Sequence, residues 1–378
     1  VTFTNAAASE MRERVLDAIY KKLDENPEDE NLQKQIVLLA KSNICTIHSF
    51  CLDVIKNNFF EIDLPANFRI ASSEEIELLK TEVLEEVFEM LYETENEAFA
   101  KLIESYTGYR GDEPVKEMIF NIERLIQSMP FPQKWLEEKI EMFHVQEEKE
   151  SDFSDSIWGK VLLENLKEEI FDAINHLKIA QNKISNYEEM EKYTLTLQND
   201  MNMLQELLKK CDSWDASIAF ANQMRFQTWP SVKQANPDLK EEAKKVRDSI
   251  KKKVNSLLEK TLIYNSQEAY QDIGLVYDNL VTLKNVVLQF DEAFKIQKRN
   301  KNIIDFTDIE HYALEILVKE DERGTPVPTE IAKKYSEKFE EIAIDEYQDS
   351  NQVQELILKA VSRGNNIFMV GDVKQSIY

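Results

Sequence analysis

The chain has 378 residues, of which 43% are hydrophobic and 31% charged, and this is enough for two domains with sizeable cores. Its 71 acidic residues outnumber its 46 basic ones, and the net charge of −25 argues against a protein that coats nucleic acid by electrostatic attraction alone. No apolar run is long enough to span a membrane and the three cysteines are scattered, so we expect a cytoplasmic protein without a membrane partner.

The first 60 residues contain two short polar segments beside apolar runs. Residues 1–5 predict a strand that ends in Thr4 and Asn5, followed by an amphipathic helix. The apolar face of that helix contains Met11, Val15 and Ile19. The second polar segment spans residues 46–51 and includes Thr46 and His48. The histidines and cysteines of the chain show neither zinc-ligand spacing nor a nucleophile–base pair.

From about residue 66 to residue 300 the pattern is almost entirely helical. Ser72 and Glu75 form a capping-box pattern, after which apolar residues recur at helical spacing. Further periodic stretches cover residues 157–184, 187–211, 238–262 and 268–298. These lengths predict a bundle of long helices. Just beyond it, Asp305 or Thr307 can cap the helix that follows.

Four tryptophans fall in this helical segment: Trp135, Trp158, Trp214 and Trp229. Each stands among apolar neighbours without interleaved basic residues, so we interpret them as core or interdomain packing. The alternative is that exposed tryptophans anchor a partner protein.

Two apolar runs near the end of the chain each end abruptly in polar side chains. Asp345 and Glu346 follow the run at 342–344, and Gly371 and Asp372 follow the run at 367–370. The spacing leaves room for one crossover helix, at 353–361, between two parallel strands. The polar ends are therefore expected at one edge of a sheet, where open α/β sheets bind their ligands.

The polar residues at this edge suit nucleotide hydrolysis. One carboxylate of an Asp–Glu pair can hold hydrated Mg²⁺ while its neighbour orients or deprotonates the attacking water, so we assign Asp345 to the metal and Glu346 to the water. Gln375 can bind a γ-phosphate in one nucleotide state and lose it in the next, as a sensor would. The alternatives are a solvated strand end at Asp345 and a simple turn at Gly371.

These segments resemble a known family. Residues 345–351 (Asp-Glu-Tyr-Gln-Asp-Ser-Asn) and 371–378 (Gly-Asp-Val-Lys-Gln-Ser-Ile-Tyr) resemble motifs II and III of the UvrD/Rep group of superfamily 1 DNA helicases. Residues 1–15 resemble motif Ia and residues 46–51 resemble motif Ib. The amino-acid sequence of residues 368–378 is most similar to the AddA branch of this family, the RecB-like subunits of helicase–nucleases.

The resemblance implies an α/β fold with a partial RecA-like parallel sheet, which is a P-loop NTPase fold lacking the phosphate-loop strand, split by a large all-α helical insertion. The expected domains are 1–65 and 301–378 for the two parts of the motor domain and 66–300 for the insertion. The segment 302–309 resembles the junction where the chain returns to the motor domain, and we treat it as architectural.

The resemblance also implies contacts to single-stranded DNA from motifs Ia, Ib and III. Aromatic rings stack on bases, while hydroxyl, amide and imidazole groups bind phosphate or sugar. The expected DNA-binding residues are Phe3, Thr4, Asn5, Thr46, His48, Phe50 and Tyr378. A buried ring is the alternative for Phe3, and a structural hydrogen bond is the alternative for His48.

In the family the helical insertion contacts duplex DNA, and two basic clusters could do so here. They are Lys244, Lys245, Arg247, Lys251, Lys252 and Lys253, and then Lys295, Lys298, Arg299 and Lys301. Lysines interspersed with glutamates on a long helix more often form a solvated face, which is the alternative.

The function implied is that of an ATP-dependent DNA helicase and translocase, with Mg²⁺ and ATP, acting in double-strand-break repair as a heterodimer with an AddB-like subunit. One alternative is a monomeric UvrD/Rep-type repair helicase without a nuclease. Another is an inactive helicase-like scaffold that binds DNA or a partner without hydrolysis.

The last alternative follows from the glycines. None of the seven lies in a Gly-x-x-x-x-Gly-Lys-Ser/Thr phosphate loop. In the order of family motifs the sequence corresponds to a fragment from motif Ia to motif III, so we expect residues 1–378 alone to have no useful ATPase. We also expect the strand at 367–370 to form an uncovered apolar edge.

Overall fold

The computed structural model describes the chain except for residues 3, 40, 41, 63, 66, 107–110, 145–150 and 373–378. The described part is mostly helical with a few short strands, which is the α/β class expected. It divides into two compact units, one formed by residues 1–138 with 282–378 and the other by residues 139–281. None of its helices combines the length and the apolar character needed to cross a bilayer.

The helices and strands of the described residues follow one another along the chain. They are α1 Asn5–Glu25, α2 Glu30–Leu39, α3 Ile47–Asn58, β1 Arg69–Ile70, α4 Ser73–Glu93, α5 Glu97–Tyr106, α6 Glu113–Ile126, α7 Pro132–Glu141, α8 Ile157–Ile184, α9 Glu191–Lys210, α10 Trp214–Gln223, α11 Pro237–Thr261, α12 Ser266–Asn300, β2 Ile303–Ile304, α13 Phe306–Leu317, β3 Val318–Glu320, β4 Pro326–Pro328, α14 Glu330–Lys338, β5 Ile342–Ile344, α15 Gln352–Ala360 and β6 Ile367–Met369.

The strands pair two by two. β1 and β2 are parallel, β3 and β4 antiparallel, and β5 and β6 parallel with Ala343 opposite Phe368. Between β5 and β6 lies α15, so the predicted strand–helix–strand unit at 342–370 is confirmed. Of the described residues in the predicted strand at 1–5, Thr2 forms one parallel bridge, to Thr46, and Asn5 already begins α1. The backbone of this segment still runs beside β5, because the Asp345 N–H donates to the Val1 carbonyl oxygen at 3.0 Å.

One hydrophobic core of the first unit surrounds β5. Ile342 and Ile344 are buried while Ala343 is exposed, the alternation expected of a strand covered on one face. Helices α3, α13 and α15 supply the apolar residues that pack with these isoleucines. Those completely buried are Cys51, Val54, Ile55, Ala313, Leu317, Val353 and Ile357. Asp345 therefore follows a strand that is anchored in a close-packed core.

The strand β6 lies at an apolar edge of the described structure. The side chain of Phe368 is 68% exposed, and Met369 and Val370 are also exposed. This agrees with the expectation of an uncovered edge at 367–370, and such an edge is a ready surface for pairing with another chain segment.

The second unit is a bundle in which α8 packs against α9 and α11. Leu166, Ile170 and Leu177 of α8 are completely buried, and their spacing of four and seven residues places them on one face of the helix. Each long helix predicted between residues 157 and 298 is present. The predicted domain boundaries at 65 and 300 stay predictions, because compactness alone does not decide where an inserted domain begins.

The predicted basic clusters are not continuous surfaces. Arg247 is buried and pairs with Asp200, and its guanidinium also donates to the Gln227 carbonyl oxygen at 2.6 Å. Lys298 is buried between Asp305 and Asp308. The structure therefore argues against a DNA contact by these two cations, because both already neutralise internal carboxylates.

Trp158, Trp214 and Trp229 pack in the core of the second unit rather than projecting into solvent. Trp214 is buried, and Trp135, Trp158 and Trp229 are half-buried. The indole N–H of Trp158 donates to the Met142 carbonyl oxygen at 3.0 Å, and the Arg247 guanidinium lies 5.3 Å from the centre of the Trp229 ring. The packing interpretation fits this arrangement better than an exposed anchor does.

Candidate functional site

The end of β5 turns sharply at two acidic residues. Asp345 is half-buried and its Oδ1 accepts the Glu346 N–H at 3.1 Å, while Glu346 is exposed. Glu346 has a φ of 53°, in the left-handed region that costs a residue with a side chain about 1–3 kcal/mol. The surrounding hydrogen bonds hold this turn, since the Tyr347 N–H donates to the Val370 carbonyl oxygen at 2.9 Å. Strain of this kind concentrates at functional sites.

Gln348 joins the ends of the two parallel strands. Its Nε2 donates to Glu346 Oε2 at 2.6 Å, and its Oε1 accepts the Asp372 N–H at 3.0 Å. Sequence reasoning does not assign Gln348 a role, because nothing in the local pattern shows which strand end an amide will reach. In the structure this one side chain positions the carboxylate that we assign to the attacking water.

Gly371 is required by the close approach of the two strand ends. A Cβ added at this position would lie 2.6 Å from Gln348 Oε1 and 3.1 Å from the Gln348 backbone nitrogen. The Gln348 side chain can rotate away from an added Cβ, but the Gln348 backbone nitrogen can move away only if the main chain shifts. The absence of a side chain at residue 371 therefore allows Gln348 to bridge both strands.

We expect Gly371→Ala to lower the free energy of unfolding by about 1–3 kcal/mol, because it forces Gln348 off Glu346 and Asp372. The matched control is Gly274→Ala inside α12, where an added Cβ meets nothing within 4 Å. That control should be neutral or stabilising by up to about 1 kcal/mol, since alanine favours a helix over glycine. Urea titration of both variants checks this, and equal effects would contradict the close approach.

The segment resembling motif Ib begins α3. Thr46 caps this helix by accepting the Ser49 N–H at 3.2 Å, and it is buried. Phe50 is also buried, with its ring edge-on to Tyr335 and tilted against Phe339. Neither side chain faces solvent, so the DNA contact expected of Thr46 and Phe50 has no support in this geometry. Both residues hold the segment in place instead.

His48 lies at the surface of the same helix. Its Nε2 is 3.0 Å from Glu310 Oε1, and 33% of its side chain is exposed. The ring of Phe306 meets it edge-on at 5.6 Å and is 55% exposed. An exposed aromatic ring beside an imidazole is suited to stacking on a base next to a phosphate contact. Sequence reasoning missed Phe306, because a position right after Asp305 indicates only the start of a helix.

The sequence allows Asp305 or Thr307 as the cap of α13, and in the structure Asp305 is the cap. It accepts the Asp308 N–H at 2.8 Å, and Asp308 accepts the Asp305 N–H in return at 2.9 Å. At the head of the chain Thr4 similarly caps α1 by accepting the Ala7 N–H at 3.1 Å, and both Thr4 and Asn5 are exposed. Three other predicted site residues, Phe3, Gln375 and Tyr378, lie outside the described residues.

The acidic end of β5 suits a metal ion that takes few ligands from the protein and most of them from water and substrate. The described residues contain no group of three or more His, Cys, Asp or Glu side chains able to enclose an ion. Mg²⁺ commonly takes one or two carboxylates and completes its shell with waters and substrate phosphates. Asp345 at the end of β5 fits that pattern.

Comparison with known proteins agrees with the motif resemblance. Residues 1–378 match the family model for the UvrD/REP helicase N-terminal domain. The chain is similar to proteins named as subunits of an ATP-dependent helicase/nuclease: 46% identical over 389 residues to that of Clostridioides difficile (strain 630), and 43% identical over 384 residues to that of Thermoanaerobacter pseudethanolicus. These alignments cover 100% of this chain but only 30% and 31% of the relatives, so the chain spans about a third of their length.

Proposed function

Because the chain belongs to the UvrD/REP helicase family, we propose that it forms part of the ATP-driven motor of a DNA helicase and translocase. The observation that carries this proposal is the parallel β5–β6 pair, which brings Asp345 and Glu346 beside Gly371 and Asp372 at one edge. The finer fold we propose is a RecA-like parallel sheet split by an all-α insertion. The parallel pairing and the helical second unit support it.

At this edge we propose that Asp345 holds Mg²⁺ through water and that Glu346 takes the proton of the water attacking ATP. The metal, when bound with ATP, would neutralise charge that develops on the phosphates. Gln348 already fixes the Glu346 carboxylate at 2.6 Å, so little reorganisation is needed for that carboxylate to meet a water. Gln375 is proposed to sense the γ-phosphate.

On the DNA side we propose that single-stranded DNA passes over His48 and Phe306, with the exposed Thr4 and Asn5 as further contacts. Phe3 and Tyr378 are proposed to stack on bases. The exposed lysines of the second unit, Lys244, Lys245 and Lys252 among them, are proposed as duplex contacts. Such binding uses a few stacking and hydrogen-bonding groups, which is compatible with a strongly acidic chain.

We further propose that the parent protein is the helicase component of a helicase–nuclease that acts in the repair of DNA breaks together with an AddB-like partner. The names of the relatives support this proposal over a helicase without a nuclease.

Unwinding of a duplex with a single-stranded tail by the full-length protein tests this function. We expect strand separation with ATP and Mg²⁺, none with a non-hydrolysable ATP analogue, and shortening of the DNA when the AddB-like partner is present. Unwinding without any shortening would favour the helicase that lacks a nuclease. Tight DNA binding with neither unwinding nor hydrolysis would show the inactive scaffold instead.

A further inference from the structure

A buried carboxylate joins the proposed DNA-facing residue His48 to the helix that follows the acidic strand end. Glu310, in α13, is only 4% exposed. Its Oε1 accepts from His48 at 3.0 Å and from the Gln354 amide at 2.6 Å, and its Oε2 accepts from the Asn351 amide at 2.8 Å. One side chain thus ties α3 to α15 through α13.

The carboxylate of Glu310 is charged in this setting. Burial alone would raise its pKa, but hydrogen bonds from His48, Asn351 and Gln354 outweigh burial and hold the pKa below its ordinary value. A carboxylate accepts on every lone pair and donates on none, so the His48 nitrogen facing it carries the proton. The orientation of the imidazole is therefore set by Glu310.

The other two partners of Glu310 lie close to the acidic turn. Asn351 caps α15 by accepting the Gln354 N–H at 2.8 Å. The backbone between this cap and Glu346 is a single tight turn, in which the Asp349 N–H donates to the Glu346 carbonyl oxygen at 3.0 Å and the Ser350 N–H to that of Tyr347 at 3.1 Å. A shift of the α15 cap therefore reaches Glu346 through a short, hydrogen-bonded path.

We propose that Glu310 is a positioning residue that transmits DNA binding at His48 and Phe306 to the turn carrying Asp345 and Glu346. DNA that binds the imidazole changes or fixes the orientation of His48, and the Glu310 carboxylate moves with it. Through Asn351 and Gln354 this movement shifts the start of α15, which places the Glu346 turn in position for hydrolysis. This coupling rests on the proposed function, since it needs both a DNA contact at His48 and hydrolysis at Glu346. Energetic coupling between two sites typically changes the response by about 5–150-fold.

The test is Glu310→Gln in the full-length protein. An amide keeps the size of the side chain, but its NH₂ group faces a donor from Asn351 or Gln354, so the three acceptor contacts cannot all persist. We expect the ratio of ATP hydrolysis with single-stranded DNA to hydrolysis without it to fall about tenfold. Affinity for a labelled oligonucleotide should change by less than about threefold, which is smaller than the roughly 5–150-fold effect typical of coupling between two sites. A merely structural role would instead lower binding and both hydrolysis rates together.

Glu315→Gln is the matched control, because it removes a negative charge from an exposed position of the same helix and should keep the wild-type ratio. Gln354→Met removes one partner while leaving the Glu310 carboxylate in place, and should lower the ratio in the same direction. Combined with His48→Ala, Glu310→Gln should add no further loss, because both act along one path.

The response of the wild type to DNA tests the proposed function, and the response of the Glu310 and Gln354 variants tests the coupling. If the wild-type protein hydrolyses ATP at the same rate with and without single-stranded DNA, both the proposed function and the coupling are wrong. A wild type that responds to DNA, with Glu310→Gln and Gln354→Met keeping its ratio within about twofold, would overturn the coupling alone. Additive losses in the double variant would do so as well.

Discussion

Replacing Lys298 by methionine is expected to lower the free energy of unfolding by about 3–5 kcal/mol. The side chain is 8% exposed, and its Nζ lies 2.9 Å from Asp305 Oδ2 and 2.6 Å from Asp308 Oδ1. Burial tends to lower the pKa of Lys298, but the two carboxylates outweigh burial and raise it, so the group stays charged. Removing it leaves the carboxylates of Asp305 and Asp308, whose side chains are only 14% and 12% exposed, without the ammonium group that they share in the capping box that starts α13.

The control for this loss is an exposed ion pair of the same kind. Lys333 pairs with Glu330 at 2.6 Å, and 58% of its side chain is exposed. Lys333→Met should change the free energy of unfolding by no more than about 0.5–1 kcal/mol, because exposed pairs contribute little. Urea titration followed by circular dichroism compares the two variants. Similar losses would show that Lys298 is not the internal counter-ion described above.

Local sequence patterns are sufficient for the parts of the fold that depend on neighbours along the chain. The period of apolar residues predicts a helix at 157–184, and the structure has α8 at Ile157–Ile184. The distance between two apolar runs predicts the crossover helix and the parallel pairing of β5 with β6. The preference of aspartate and threonine for helix starts limits the cap of α13 to Asp305 or Thr307, and the structure has Asp305. These features are set by backbone geometry and short-range hydrogen bonds.

Features that depend on distant partners are not predictable in this way. Arg247 belongs to a basic run in the sequence, but inside the bundle it pairs with Asp200, 47 residues earlier. The strand at residues 1–5 depends on neighbours from residues 45–46 and β5, and among its described residues Thr2 is paired in a bridge. The period of a sequence indicates which face of an element is apolar, but not which element covers it.

Some residues of the candidate site are predictable from local sequence, and others depend on partners that are distant in the chain. Asp345 and Glu346 are identifiable because an apolar strand ending in two acids has a specific chemical meaning. Glu310 is not, since its partners His48, Asn351 and Gln354 come from two other segments of the chain. Phe306 is missed for a related reason: its exposure is decided by the packing of α13, not by its neighbours in the chain.

The carboxylate of Glu346 is the proposed general base of ATP hydrolysis. In Glu346→Gln the side chain keeps its size, and its oxygen can still accept from the Gln348 amide, but it can no longer take a proton from water. Loss of a general base lowers a rate by about 10²–10⁴-fold. ATP and DNA binding should persist, because neither depends on that proton transfer. The matched control is Glu341→Gln, the same change at an exposed position before the other end of β5.

The most direct test is the rate of ATP hydrolysis by the full-length protein with saturating single-stranded DNA, measured for the wild type, Glu346→Gln and Glu341→Gln. The rate of Glu346→Gln is predicted to fall by at least about a hundredfold while its affinity for ATP stays within a few-fold of the wild type. Glu341→Gln should hydrolyse ATP at the wild-type rate. Hydrolysis by Glu346→Gln within about threefold of the wild type would contradict the assignment of this strand end as the hydrolytic site.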